Sequence, residues 1–160
     1  MKTSCERCAA MTKSGHRCKN MTCKYSPLCY VHKHVVVGDS QIPNSGQGVY
    51  AKSNLKKGTM VGRYTIGTDK MTLQQMNAKF PDVKDRTHIW SNNRNAYFDA
   101  EKTNSIAGKY NSCTPRDARK MGCKNNARIN NVGNIVLNRN VKQDREIYVS
   151  YGREYWRNRK

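Results

Sequence analysis

Apolar residues in this chain come in runs of four or fewer, separated by stretches of Asn, Lys, Gly and Ser. Val35-Val36-Val37 is a β-branched run and predicts a strand. Tyr50-Ala51-Lys52 and Met60-Val61-Gly62-Arg63-Tyr64 predict two more, parted by the turn-like Lys56-Lys57-Gly58. His88-Ile89-Trp90 and Ala96-Tyr97-Phe98 flank Asn92-Asn93-Arg94-Asn95, the pattern of a hairpin. Ile135-Val136-Leu137 and Ile147-Tyr148-Val149 supply the last two strands. Thr72 to Lys79 reads as a short helix, with Pro81 beyond it as a stop signal. The pattern predicts a mostly β fold with short helices, beginning near residue 35.

Composition agrees with many short strands. Tyr outnumbers Phe nine to two, and seventeen residues are Asn, which suits turns and left-handed positions. No apolar run nears the roughly 18 residues a membrane span needs. Met1 to Ala10 has no apolar signal region, so an intracellular protein is expected. Two parts are expected: residues 1–34, a small Cys/His segment, and residues 35–160, the main domain with a short C-terminal tail. The net charge of +19 suggests a polyanionic partner, nucleic acid first.

Five of the seven cysteines fall in the first 29 residues. In a reducing compartment such a cluster more often binds metal than forms disulfides. Zinc takes four thiolate or imidazole ligands, and Cys5, Cys8, Cys18, Cys23, Cys29 and His32 are available, with His16 and His34 in reserve. The set chosen is Cys8, Cys18, Cys29 and His32. Cys29 and His32 form a CxxH pair, and Gly15 permits a tight turn between Cys8 and Cys18. Cys5 is the alternative to Cys8. The segment also resembles a small Cys/His zinc-knuckle motif of bacterial and large-DNA-virus proteins, and that resemblance implies the same ligand roles. A segment this short buries too little to fold alone, so a metal would stabilise it.

Three blocks follow in order in the larger part. The first runs from Ile42 through Gly46-Gln47-Gly48 to Gly58 and on to Gly62-Arg63-Tyr64. The second is Ala107-Gly-Lys-Tyr110-Asn111-Ser112-Cys113, with Asn125-Asn126-Ala-Arg128 after a basic loop. The third is Glu146-Ile-Tyr148-Val-Ser-Tyr151-Gly152-Arg-Glu-Tyr155-Trp156. Together they resemble the SET-domain protein lysine methyltransferase family over about 120 of the 160 residues. The third block is most similar to the compact SET proteins of large DNA viruses. The resemblance implies a SET-type fold of several small sheets, β-clip-like, beside the zinc-binding segment.

It also implies transfer of a methyl group from S-adenosylmethionine to a protein lysine, with a core histone tail the first substrate expected. Tyr151 would lie closest to the transferred methyl, with Tyr110 and Tyr148 as channel walls. Gly46, Gln47 and Gly48 would admit the methionine part of the cofactor. Tyr64, Asn111, Ser112 and Tyr151 would add cofactor contacts, and Trp156 with Tyr155 would stack on its adenine. By the same analogy the chain is a possible homodimer, acting in a nucleus, viral factory or virion.

The chain departs from the family in places. Ser112 stands where His is usual, Asn125 where Pro is usual, and Arg145 where a second acid is usual. No cysteine follows Cys123, so the zinc-binding segment found after many SET domains is not expected. Cys113 and Cys123 read as ordinary thiols. These departures and the charge define an alternative: a basic chromatin- or DNA-binding protein that keeps a SET fold with little catalysis.

Overall fold

The computed structural model describes residues 5–9, 11, 14–22, 29, 33–66, 68–92, 95–101 and 106–152. Among the described residues the strands are β1 (Glu6–Arg7), β2 (Met21–Thr22), β3 (Val35–Asp39), β4 (Gln47–Ala51), β5 (Met60–Arg63), β6 (Asp69–Met71), β7 (Ile89–Ser91), β8 (Tyr97–Asp99), β9 (Ala127–Ile129) and β10 (Asn134–Leu137). The helices are α1 (Leu73–Lys79) and α2 (Pro115–Met121), with short 3-10 turns at Val83–Asp85 and Ile106–Lys109. The strands form four small antiparallel sheets: β1-β2, β3-β4, β5-β10-β9 and β6-β8-β7. This is the mostly β, many-sheet fold that the run pattern predicts.

Each sheet is too small to hold a core alone, so the sheets share one. Val49 of β4, Ile135 and Leu137 of β10, and Ile147 and Val149 beyond it are all but inaccessible to solvent. Fully burying side chains of this size contributes about 1.5–3 kcal/mol each. The expected hairpin forms with Trp90 opposite Phe98, and their rings pack at 5.6 Å. Helix α1 begins with a capping box between Thr72 and Gln75. Its last-turn Lys79 reaches the buried Asp99 of β8 at 2.7 Å, which ties the helix to the sheet.

Ile147 to Val149 differs from expectation. The run joins no ladder. It passes between β4 and β9 through isolated bridges, Glu146 with Tyr50 and Val149 in parallel with Ala127. The Asn126 side chain holds it from one side, accepting from the Tyr148 amide at 3.0 Å and donating to the Glu146 carbonyl at 3.0 Å. The Val149 amide donates to the Asn111 carbonyl at 2.8 Å. The third sequence block is thus drawn against the second, which places Tyr151 beside Tyr110.

The basic loop after the second block is partly helical. Thr114 and Asp117 form a capping box, Pro115 occupies the first turn, and Gly122 closes α2 at φ 68°. Cys113 and Cys123, expected as separate thiols, are joined in a disulfide across the two ends of this helix. Asn125 clamps the same point: its side chain accepts from the Cys113 amide at 2.8 Å and donates to the Cys113 carbonyl at 3.1 Å.

Candidate functional site

A cavity of about 370 Å³ opens where β7, β9 and β10 meet residues 149–152. Its walls include Tyr64, Trp90, Tyr110, Ile135, Val149 and Tyr151. Among the described residues that line it there is no carboxylate, and Arg128 is the one permanent cation. The tyrosine hydroxyls are committed to backbone carbonyls: Tyr64 donates to His88 at 2.8 Å, Tyr110 to Val61 at 2.8 Å, and Tyr151 to Tyr110. Burial pushes the Tyr110 hydroxyl far above the ordinary phenol range, so it stays neutral. The cavity therefore offers oriented rings, with the His88 imidazole the one ordinary base among the described residues that line it. An ammonium group entering it would lose water and gain no counter-charge, and both effects favour its neutral form.

A second constellation adjoins the first. Glu146 is buried, and its carboxylate accepts from five neutral donors. Ser40 Oγ (2.8 Å) and Asn111 Nδ2 (3.1 Å) reach one oxygen; the Gln41 amide (2.8 Å), Tyr148 Oη (3.0 Å) and Tyr50 Oη (3.4 Å) reach the other. Burial, with the Glu146 carboxylate adding to it, raises the Tyr148 and Tyr50 hydroxyls above their usual range. The Asn111 side chain also donates to the Gln47 carbonyl at 2.9 Å, and Lys109 Nζ to the Gln47 side chain at 2.6 Å. Glu146 thus fixes Asn111, and Asn111 fixes Gln47 at the start of β4.

The structure sorts the expected site residues into these two groups. Tyr151 and Tyr110 meet at the cavity. Tyr64, expected at the cofactor, lines the same cavity. Tyr148 is not brought there; its hydroxyl turns to Glu146 and its ring packs with Ile42 and Cys113. Gln47 and Asn111, both expected at the cofactor, are joined by the Asn111 side chain on the Gln47 carbonyl. Gly46 takes a left-handed φ of 64°, with nothing near its missing side chain. Gly48 has an internal reason to be glycine, since a Cβ there would lie 2.2 Å from Glu146 Oε1. Ser112 is buried, and its hydroxyl is the one buried side-chain polar atom without a partner among the described residues. Trp156, Tyr155 and His32 lie outside the described residues.

Trp90, Lys109 and Glu146 also belong to these groups, although the sequence does not single them out as site residues. Glu146 carries the clearest signal. It stands directly before the apolar Ile147-Tyr148-Val149 run on a chain with 30 basic residues, and an acid at such a place is buried only if donors surround it.

The N-terminal cysteines gather as expected. The sulfurs of Cys8, Cys18 and Cys29 lie within 4.8 Å of one another and all three residues are buried. Tetrahedral zinc with thiolates at about 2.3 Å sets sulfurs about 3.8 Å apart, so a small closure would seat the ion. Amides already point at the sulfurs: Asn20 N to Cys18 (3.4 Å), Cys29 N to Cys8 (3.2 Å) and Asn20 Nδ2 to Cys29 (3.5 Å). Such donors stabilise thiolates, so the donor set fits zinc. Cys5, the alternative first ligand, is instead disulfide-bonded. Arg7 and Arg17 brace the ribbon by donating to the carbonyls of Cys18 and Cys8, at 2.9 and 3.0 Å. Purified protein should contain about one zinc per chain, and Cys18→Ser should hold less than about a fifth of that, by elemental analysis. Wild-type protein free of zinc after refolding in zinc-containing buffer would exclude a metal role.

The SET domain profile matches residues 46–152. A crystal structure of a Plasmodium falciparum protein, described as a proposed histone methyltransferase, is similar in fold. It superposes with a TM-score of 0.52 at 19% identity, over 78% of this chain and 98% of that one. No curated protein sequence matches the chain.

Proposed function

Because the chain belongs to the SET domain family, we propose that it is a protein-lysine N-methyltransferase using S-adenosylmethionine. The observation that carries this is the tyrosine-walled cavity beside the Glu146–Asn111–Gln47 group, both inside the matched segment. The cofactor supplies an electrophilic methyl group on a sulfonium. The residues present suit it. The bare Gly46 backbone leaves room, Lys109 beside Gln47 offers a cation for a carboxylate, and the orphaned Ser112 hydroxyl sits next to Asn111.

The chain's own work is positional. The cavity strips water from the lysine amine and keeps it neutral, while the anchored rings of Tyr64, Tyr110 and Tyr151 narrow its approach. None of these hydroxyls is placed as a base; the amine gives its proton to water on entry, and the pH profile below separates this from transfer to an enzyme group such as His88 of the cavity wall. A core histone tail is the substrate we put first. The P. falciparum protein of this fold is described as a proposed histone methyltransferase, and a charge of +19 favours tails presented on DNA over free basic peptides. The likeness of the third block to compact viral SET proteins points to a nucleus or viral factory as the site of action. We take residue 35 as the start of the methyltransferase domain and residues 1–34 as a zinc-bound appendage.

Incubation with labelled cofactor, nucleosomes, free histones and lysate should label lysine in at least one protein. The label should be lost in Asn111→Ala. No labelling together with no cofactor binding by calorimetry would leave the alternative, a basic binding protein with a SET fold. With a substrate in hand, kcat/KM should rise about tenfold per pH unit between roughly pH 7 and 9, following a free lysine of pKa about 10.4. Tyr110→Phe should keep that slope. A plateau below about pH 8 would instead assign the proton transfer to an enzyme group.

A further inference from the structure

One charged feature is left unused by the cavity and by the cysteine cluster. Arg116, Arg119 and Lys120 lie on α2, Lys124 follows it, and Arg139, Lys142 and Arg145 lie on the turn after β10. All seven are exposed. None makes an ion pair among the described residues, where the ion pairs are Lys79–Asp99 and Lys84–Asp82. The carboxylates of residues 113–150 do little to offset them. Asp117 is spent on the α2 cap, Glu146 is buried among its five donors, and only Asp144 is exposed.

The charges are arranged on a concave surface. Lys124, Arg139, Lys142 and Arg145 line a cleft of about 330 Å³. A second groove of about 400 Å³ shares Lys124 and Arg139 with it and continues to Ser150 and Gly152, the neighbours of Tyr151. Both walls are fixed. The Cys113–Cys123 disulfide and Asn125 hold α2, and the pairing of Leu55 with Val141 and the Lys57 amide on Asn140 Oδ1 (2.8 Å) hold the turn. Like charges held together in this way repel and weaken the fold, so the arrangement calls for an anionic partner. The two grooves hold no Trp, Phe or His on which bases could stack, and the ring of Tyr148 is buried. Contacts here would go to phosphates and not to bases.

We propose that this cleft binds the phosphate backbone of duplex DNA without reading sequence, and that the track leads past the mouth of the tyrosine cavity. That it brings a DNA-borne protein substrate to Tyr151 rests on the methyltransferase reading; the binding itself does not.

The test is fluorescence anisotropy of the full chain with a labelled 20-base-pair duplex at several salt concentrations, without cofactor or substrate. Affinity should fall steeply with salt. Changing Lys124, Arg139, Lys142 and Arg145 together to alanine should lower the slope of log K against log salt by about 3 to 4 and weaken binding at least about tenfold. Removing equal charge elsewhere, at Lys19, Lys33, Lys70 and Lys84, should change the slope by less than about 1. Equal losses in both variants would mean diffuse attraction and overturn the site. So would an unchanged slope in the cleft variant, checked as folded by circular dichroism. Polyglutamate competing as well as unlabelled DNA would assign the cleft to an acidic protein instead. Methylation of a short peptide is scored separately, so failure of DNA binding and failure of catalysis remain distinguishable.

Discussion

Gly48→Ala is expected to destabilise the protein by about 3 kcal/mol or more, enough to unfold much of it at 37 °C. The added Cβ would lie 2.2 Å from Glu146 Oε1, 2.7 Å from Glu146 Cδ and 3.2 Å from Ser40 Cα. Two of these three atoms belong to the carboxylate, which has nowhere neutral to go. If it withdraws, Ser40, Gln41, Tyr50, Asn111 and Tyr148 lose a shared acceptor in a buried place. If it stays, β4 must move away from Ser40 and disturb its pairing with β3. Both routes also release Asn111 from Gln47, so cofactor affinity should fall with stability.

Urea unfolding followed by circular dichroism measures the first effect. Glu146→Asp retracts the carboxylate by one methylene and should recover part of the loss when combined with Gly48→Ala. A favourable coupling of about 1 kcal/mol or more is expected from the double-mutant cycle. A midpoint for Gly48→Ala within experimental scatter of the wild type would show that Glu146 does not constrain this position.

Much of the strand framework around this site is legible in the chain itself, for reasons tied to particular residues. Val35-Val36-Val37 and Ile135-Val136-Leu137 are short and rich in β-branched residues, which favours extended backbone, and both are strands. The Asn-rich stretch Asn92 to Asn95 marks the hairpin, and its register sets Trp90 opposite Phe98. Helix α1 has a capping residue and a proline stop.

Helix α2 has equally good signals in Thr114, Pro115, Asp117 and Gly122, yet it reads as a loop because no residue between its caps is buried. Periodicity reports burial, and a helix stapled by its ends needs none. The disulfide is hidden for a different reason. Two cysteines ten apart carry no pattern of their own, and only the left-handed turn at Gly122 brings their Cα atoms to 6.0 Å. The placement of Tyr148 is likewise beyond sequence. Tyr148 and Tyr151 are three apart in one motif, but their hydroxyls do not share a partner. One hydroxyl points to Glu146 and the other to Tyr110.

That divergence makes the second large prediction. Tyr151→Phe should lower kcat by about 100-fold with the substrate KM changed less than about threefold. The Tyr151 hydroxyl donates to the Tyr110 carbonyl, and Tyr110 in turn donates to Val61 of β5. Through this chain the ring at the cavity mouth is locked to the central sheet. Without the hydroxyl the ring keeps its volume and its apolar contacts, so binding survives. Its orientation becomes free, and a displacement that needs amine, methyl and leaving sulfur in line loses its alignment. The Tyr110 carbonyl also loses its donor, at a cost of about 1 kcal/mol to stability.

Tyr148→Phe provides the contrast. It removes a hydroxyl of the same kind, from the same motif, with a similar stability cost of about 1 kcal/mol. Its partner is Glu146 and it does not line the cavity, so kcat should stay within about threefold of wild type. Steady-state kinetics of both variants on one peptide, with cofactor saturating, separates the two positions. Equal losses in kcat would mean that the cavity is not where the methyl group moves. A normal kcat in Tyr151→Phe would remove that residue from the reaction while leaving the fold assignment intact.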